Sequence, residues 1–169
     1  MDLQDRVTYL REASRVERVH TMPHHGTYSV GQHSYDMLCL LLLLHQDPSA
    51  RLIRAVIWHD VPERWLGDMP APAKWSDGEL SKIYSRAEDR VVRALGIGED
   101  LTAEENLWLS AIDKLECLLW AKEQLAMGNT NAATIVGNLV AWFNQATIPV
   151  QVQRFIEQHQ QRRMPDVLP

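Results

Sequence analysis

Apolar side chains recur three and four positions apart over most of this chain, and the breaks in that rhythm divide it into helices. Leu3, Val7 and Leu10 open the pattern and predict a first helix to about Val16, after which Arg15 to Gly31 loses the period amid Pro23, Gly26 and Gly31 and reads as a loop. His33, Met37, Leu40, Leu41 and Leu44 share one face of a second helix, so His33 projects from the core side. Pro48 and Ser49 mark the turn into a third helix carrying Leu52, Ile53, Val56 and Ile57. It should finish near Val61, because Pro62 lacks an amide hydrogen and restricts the residue before it. His59 and Asp60 fall in its last turn.

Pro62 to Trp75 contains Gly67, Pro70 and Pro72 and reads as a loop, followed by a helix opened by a capping box over Ser76-Asp77-Gly78-Glu79 and closed near Gly96 and Gly98. A second capping box, Thr102 to Glu105, begins a long helix in which Leu107, Ile112, Leu115, Leu119 and Leu125 repeat until Gly128. Asp113 lies in its middle. Two more helices are predicted, about Ala132 to Gln145 and Pro149 to Arg163, before a fraying tail from Met164 to Pro169. The expected fold is an all-α bundle with no convincing strand and no internal repeat.

The chain has 169 residues, one domain's worth, and its 46% hydrophobic and 23% charged residues are ordinary for a globular protein. A net charge of −5 argues against wrapping a nucleic-acid polymer by counterion release, so an anionic ligand must be met by a local basic cluster. The leucine run from Leu38 to Leu44 is too short for a bilayer, and the acidic amino terminus lacks the features of a signal peptide, which together predict a cytoplasmic protein with no membrane partner. Cys39 and Cys117 sit in apolar helical runs and read as small hydrophobes rather than a disulfide.

Against this background a few polar residues stand out. A carboxylate at Asp113, among Leu109, Ile112 and Leu115, is costly to bury without a cation, and the adjacent Lys114 is expected to point elsewhere on the helix. His33, His59, Asp60 and Asp113 come from three separate helices. Imidazole and carboxylate ligands of this kind suit one divalent ion of the Zn, Co or Mn type and leave room for water and substrate, which points to metal-assisted hydrolysis. Taken singly, His33 also fits a hydrogen-bonded core histidine and His59-Asp60 a solvated helix end. His20, His24 and His25, in a Pro/Gly loop, read as solvated.

The order His33, then His59-Asp60, then Asp113 resembles the signature of the HD phosphohydrolase superfamily, an all-α HD-domain bundle. Gln32-His33-Ser34, Trp58-His59-Asp60-Val61-Pro62-Glu63, Gly67-Asp68-Met69-Pro70-Ala71-Pro72-Ala73-Lys74 and Ala111-Ile112-Asp113-Lys114-Leu115-Glu116 resemble the branch containing bacterial 5′-deoxynucleotidases over about residues 15 to 125. Arg18-Val19-His20-Thr21 departs from the Arg-Trp pair typical of those enzymes and looks more like the small phage dATP triphosphohydrolases, which remove dATP so that 2-aminoadenine can replace adenine in viral DNA.

The resemblance implies Glu63 and Asp68 as catalytic proton handlers, with the assignment of base and acid between them open, and Arg18 and Lys74 as phosphate-binding cations. Arg15 and Lys114 are weaker candidates. Pro72 belongs to the shared Pro-x-Lys segment, and Val19, Thr21 and Met22 could wall a slot for the base, although Thr21 is smaller than the aliphatic residue expected for excluding a 2-amino group. Trp65 or Trp75 could border this pocket. The implied substrate is a small-molecule purine deoxynucleotide, dATP first and a deoxynucleoside monophosphate second, with Mg2+ accompanying the triphosphate as an option. A homo-oligomer is also implied, joined through apolar surface of the carboxy-terminal helices, and a phage protein would work in the host cytoplasm. A nucleotide sensor without turnover is the alternative from another class. A two-iron oxygenase would need extra histidines that Val61, Pro62 and Arg64 do not provide.

Overall fold

A computed structural model describes residues 1–159, the side chains of 74–76 and 159 excepted. Its helices are α1 (Leu3–Ala13), α2 (Val30–Leu44), α3 (Ala50–Trp58), α4 (Glu63–Leu66), α5 (Ala71–Ser76), α6 (Gly78–Leu95), α7 (Ala103–Ala126), α8 (Ala133–Gln145) and α9 (Val150–His159), with a 3-10 turn at Thr130–Ala132. An isolated bridge between Glu17 and Ser29 is the sole β pairing among the described residues, so the all-α expectation holds. No helix among them is long and apolar enough to cross a membrane.

Several predicted boundaries move. α1 stops at Ala13 rather than Val16, because the chain turns to pair with the start of α2: Val30 N donates to Val16 O at 2.9 Å and Gly31 N to Ser14 O at 3.1 Å. The approach is so close that a Cβ on Gly31 would sit 2.8 Å from that of Ser14, which only glycine tolerates. α2 starts at Val30, capped by the Ser29 hydroxyl, and α3 ends at Trp58 with His59 as its C-cap. The stretch from Pro62 to Trp75, read as a loop, holds α4 and α5, which are too short to show a helical period. Ser76 ends α5. The cap of α6 is Asp77 alone, whose carboxylate accepts from Glu79 N at 2.9 Å and Leu80 N at 3.2 Å. The Thr102–Glu105 box forms as expected, as does the left-handed Gly96 closing α6. The continuation of the last helix to Arg163 and the tail lie outside the described residues.

The main core joins α2, α3, α7 and α9 through Met37, Leu41, Leu52, Val56, Ile112, Leu115 and Val152. Burial of such side chains is the principal driving force for the bundle. Two expected apolar stripes are only partly buried: Leu3 and Val7 are exposed on α1, and on α7 it is Trp108 and Ala111, not Leu107, that face inward. A second cluster sets Ala13 and Val61 against Leu95 and Ile97, and a third packs Tyr28 on Trp120, Ala121 and Ala132. Together they fix the ends of α2, α3 and the middle of α7 around one polar centre. Cys39 and Cys117 are both free thiols, and burial pushes that of Cys117 up to about 12.

Candidate functional site

α2 presents His33 to α7 with no solvent exposure. Its Nδ1 meets Glu116 Oε2 and lies 3.3 Å from the Tyr28 hydroxyl, while its Nε2 is 3.3 Å from Asp113 Oδ1 and 3.7 Å from Asp60 Oδ2. His59, at the end of α3, sends Nδ1 to the Val56 carbonyl at 2.9 Å and brings Nε2 within 3.2 Å of Asp60 Oδ2. A carbonyl oxygen only accepts, so His59 Nδ1 carries a hydrogen and Nε2 is the nitrogen turned toward Asp60. His33, His59 and Asp60 each offer an atom within 4.8 Å of the others, the single such group among the described residues. Asp113 stands outside that tight set and touches it through His33.

The centre therefore gathers carboxylate oxygens and imidazole nitrogens, and both Nε2 atoms are buried without a hydrogen-bond partner. Acceptors crowded in this way call for a cation, and each histidine is oriented through its far nitrogen as in metal sites generally. The donor set fits a divalent ion of the Zn type. Arg18 supplies fixed positive charge, with Nη1 on Asp60 Oδ2 and Nη2 at 3.9 Å from Asp113 Oδ1. Burial opposes charge at each of these groups, but the pairing overcomes it. His59 and Arg18 hold the Asp60 carboxyl well below the usual range, His33 and Lys114 do the same for Asp113, and Asp60 raises His59 to about 9. Contrary to expectation, Lys114 bends back to Asp113, its Nζ 3.0 Å from Oδ2, and lies over the Trp142 ring at 5.3 Å.

Glu63 opens α4, is 4% exposed, and acts electrostatically on Arg18. Asp68 reaches across to the Arg18 loop: its Oδ2 accepts from Val19 N at 2.7 Å and lies 3.7 Å from His20 Nδ1. Val19 has φ of 54°, a strained left-handed conformation for a β-branched residue, so this contact holds the loop where it would not rest unaided. Val19 and Met22 pack toward the Tyr28–Trp120 cluster rather than standing free, whereas Thr21 and Pro72 are exposed. The Lys74 and Trp75 side chains lie outside the described residues. Trp65 packs edge-on against Tyr9, with Arg64 over both rings. His24 sits 3.4 Å from Glu17 and against Trp120, and Arg15 is exposed.

Three residues had no role assigned from the sequence, Glu116 appearing there only as the end of a motif. Tyr28 and Glu116 back His33, and Tyr84 of α6 donates its hydroxyl to the Gly67 carbonyl between Glu63 and Asp68. Burial, then the Glu63 carboxylate, raises Tyr84 well above the usual phenol range, so it remains a donor. The spacing of Asp113 and Glu116 was a usable signal, since both lie on one helical face. Nothing in sequence marks Tyr84. A cavity of about 440 Å³ between α1, α2 and α3 is lined by Leu10, Leu38, Ile57 and Val61, and another of about 370 Å³ touches His59 but not Arg18. Neither collects the charged groups, so convergent polar atoms define the site.

No curated protein sequence matches significantly. Among solved structures, an HD-domain phosphohydrolase from Listeria innocua superposes with a TM-score of 0.81 at 18% identity, covering 95% of this chain and 89% of that one. A conserved hypothetical protein from Pyrococcus furiosus gives 0.74 at 20% identity, covering 94% and 99%. The HD phosphohydrolase DatZ of cyanophage S-2L, bound to dA and one catalytic Zn2+ ion, gives 0.68 at 16% identity, covering 95% of each chain. At these identities the likeness establishes the fold. The sequence model of the YfbR-like 5′-deoxynucleotidases matches residues 6–162. The chain thus belongs to the YfbR-like 5′-deoxynucleotidase family, a family of phosphohydrolases, and shares its fold with HD-domain phosphohydrolases.

Proposed function

We propose that the protein hydrolyses a purine deoxynucleotide, with dATP as substrate and deoxyadenosine and triphosphate as products. The observation that carries the hydrolytic reading is the convergence of His33 Nε2, His59 Nε2 and Asp60 Oδ2 beside the Arg18 guanidinium. His33, His59, Asp60 and Asp113 would hold the ion. When bound, a divalent ion of the Zn, Co or Mn type supplies Lewis acidity and water of lowered pKa.

The rest belongs to the chain. Arg18, kept protonated by Asp60 against the cost of burial, offsets phosphate charge, and Lys74 is a second cation for the same purpose. Water oxygen bonds to the α-phosphorus as the bond to the 5′ oxygen breaks. Of Glu63 and Asp68, one accepts the proton lost by water and the other protonates the departing 5′ oxygen. Val19, Thr21 and Pro72 border the nucleoside, and Mg2+ accompanies the triphosphate.

Preference for dATP draws on the Arg18-Val19 pair, where deoxynucleotidases carry Arg-Trp, and on fold similarity to DatZ. The family itself favours the second reading, release of phosphate from a deoxynucleoside monophosphate. Metal-loaded protein incubated with dATP, dGTP and dAMP separates the two. Triphosphate and deoxyadenosine from dATP are expected, and inorganic phosphate from dAMP with dATP untouched would replace the first reading with the second. Self-association belongs to the same proposal. Among the described residues, exposed apolar side chains are more frequent on α1 to α3, at Leu3, Val7, Tyr35, Leu42, Leu43 and Ile57, than on the carboxy-terminal helices.

A further inference from the structure

The histidine with the least freedom at this centre lies between two carboxylates of one helix. α7 carries Asp113 and Glu116 three positions apart, hence on one face, and α2 places the buried His33 ring between them. Nε2 is 3.3 Å from Asp113 Oδ1, and Nδ1 meets Glu116 Oε2. With an acceptor on either side, the ring could place its hydrogen on either nitrogen, and the two choices have opposite consequences for ligation.

The surroundings break this symmetry. Asp113 already shares its charge with Lys114 at 3.0 Å and Arg18 at 3.9 Å. Glu116, 5% exposed, meets a neutral partner: the Tyr28 hydroxyl donates to the same Oε2 at 2.5 Å. Tyr28 is itself fully buried and stacked on Trp120, with ring centroids 4.3 Å apart and planes 10° from parallel, so the carboxylate oxygen is held in place from behind. Its charge is directed at Nδ1.

We propose that Glu116, held by Tyr28, is a positioning residue that keeps the hydrogen of His33 on Nδ1 and so presents Nε2 as the metal-binding nitrogen. The inference rests on the metal reading above and adds a requirement to it. A carboxylate accepting from the far nitrogen also makes Nε2 a better electron donor, and loss of such a partner typically weakens metal binding about 10- to 100-fold. Tyr28 acts one step further out.

The test is zinc affinity by competition with a chelating dye, together with 15N spectra of the histidine rings in the zinc-loaded protein. Wild type should show His33 with Nδ1 protonated and Nε2 ligated. Glu116→Ala should weaken zinc binding by about 10- to 100-fold and lose that single pattern. Glu116→Gln, nearly isosteric, should keep the pattern, because its amide oxygen still accepts, but bind about 10-fold more weakly. Tyr28→Phe should give a smaller loss. If Glu116 only fills the core, Glu116→Ala would melt earlier yet bind zinc with unchanged affinity and an unchanged spectrum, which overturns the proposal. Should Glu116→Ala not fold, Glu116→Gln decides, wild-type affinity again overturning it. Failure of the wild type to take up zinc would sink the metal reading and this inference together, whereas normal uptake with no effect in either variant sinks this inference alone.

Discussion

His59 is the simplest of the proposed ligands to test alone. Its ring is anchored by the Val56 carbonyl of its own helix, so removing it leaves α3 intact while deleting one donor from the group. We expect His59→Ala to fold normally and to keep almost no metal after desalting, as measured by elemental analysis. Asp113→Ala is expected to do the same, and full metal content there would remove Asp113 from the ligand set while leaving the other three. Glu63→Ala should retain the ion but lose about 100- to 10,000-fold in turnover, the usual contribution of a proton-transfer group. At this scale the sequence was informative wherever a residue type was costly without its partner, as with Asp113 amid leucines. Tyr28 and Tyr84 were silent because a tyrosine in a loop or on a helix is unremarkable until folding places it behind something, whereas Glu116, three positions beyond Asp113, left a usable spacing.

Capping explains much about the helices. Thr102 and Glu105 satisfy each other's backbone amides at the start of α7, and Glu105 also takes the Ser49 hydroxyl at 2.5 Å and Arg51 Nε at 2.8 Å, tying this start to that of α3. Thr102→Ala should cost about 1 kcal/mol in urea unfolding. Hydrogen bonds from Arg51 and Ser49 lower the Glu105 carboxyl from 4.5 to about 2. A carboxyl depressed in the folded state stabilises it above the unfolded value and loses that contribution as pH falls through the folded one. The stability difference between wild type and Glu105→Gln should therefore be constant above pH 4.5 and shrink toward pH 2, by thermal melts across that range. The long helices were legible because period and caps coincide. α4 and α5 were not, since four and six residues span less than two turns and Pro62, Gly67 and Pro70 look the same in a loop.

For the whole molecule, the bundle separates scaffold from chemistry. Leu115 lies in the main core two positions beyond Asp113, on the same helix that carries the acidic side chains. Leu115→Ala should destabilise the fold by about 2 to 5 kcal/mol by chemical denaturation, yet leave metal stoichiometry at working temperature unchanged. Loss of metal from the folded variant would mean that the core also sets the spacing of the polar centre. The HD-type bundle was readable from the order of helices and motifs, whereas the exposure of Leu3, Val7 and Leu107 was not, because periodicity names a face without saying what covers it.

The clasp between the Asp68 carboxylate and the Val19 amide joins two segments remote in sequence, one bearing a guanidinium and the other an acid. The amide hydrogen of Val19 is thus a natural sentinel for their separation. It should exchange slowly with deuterium while the segments stay latched, and Asp68→Asn or any event that pries them apart should speed that exchange before the bundle itself loosens.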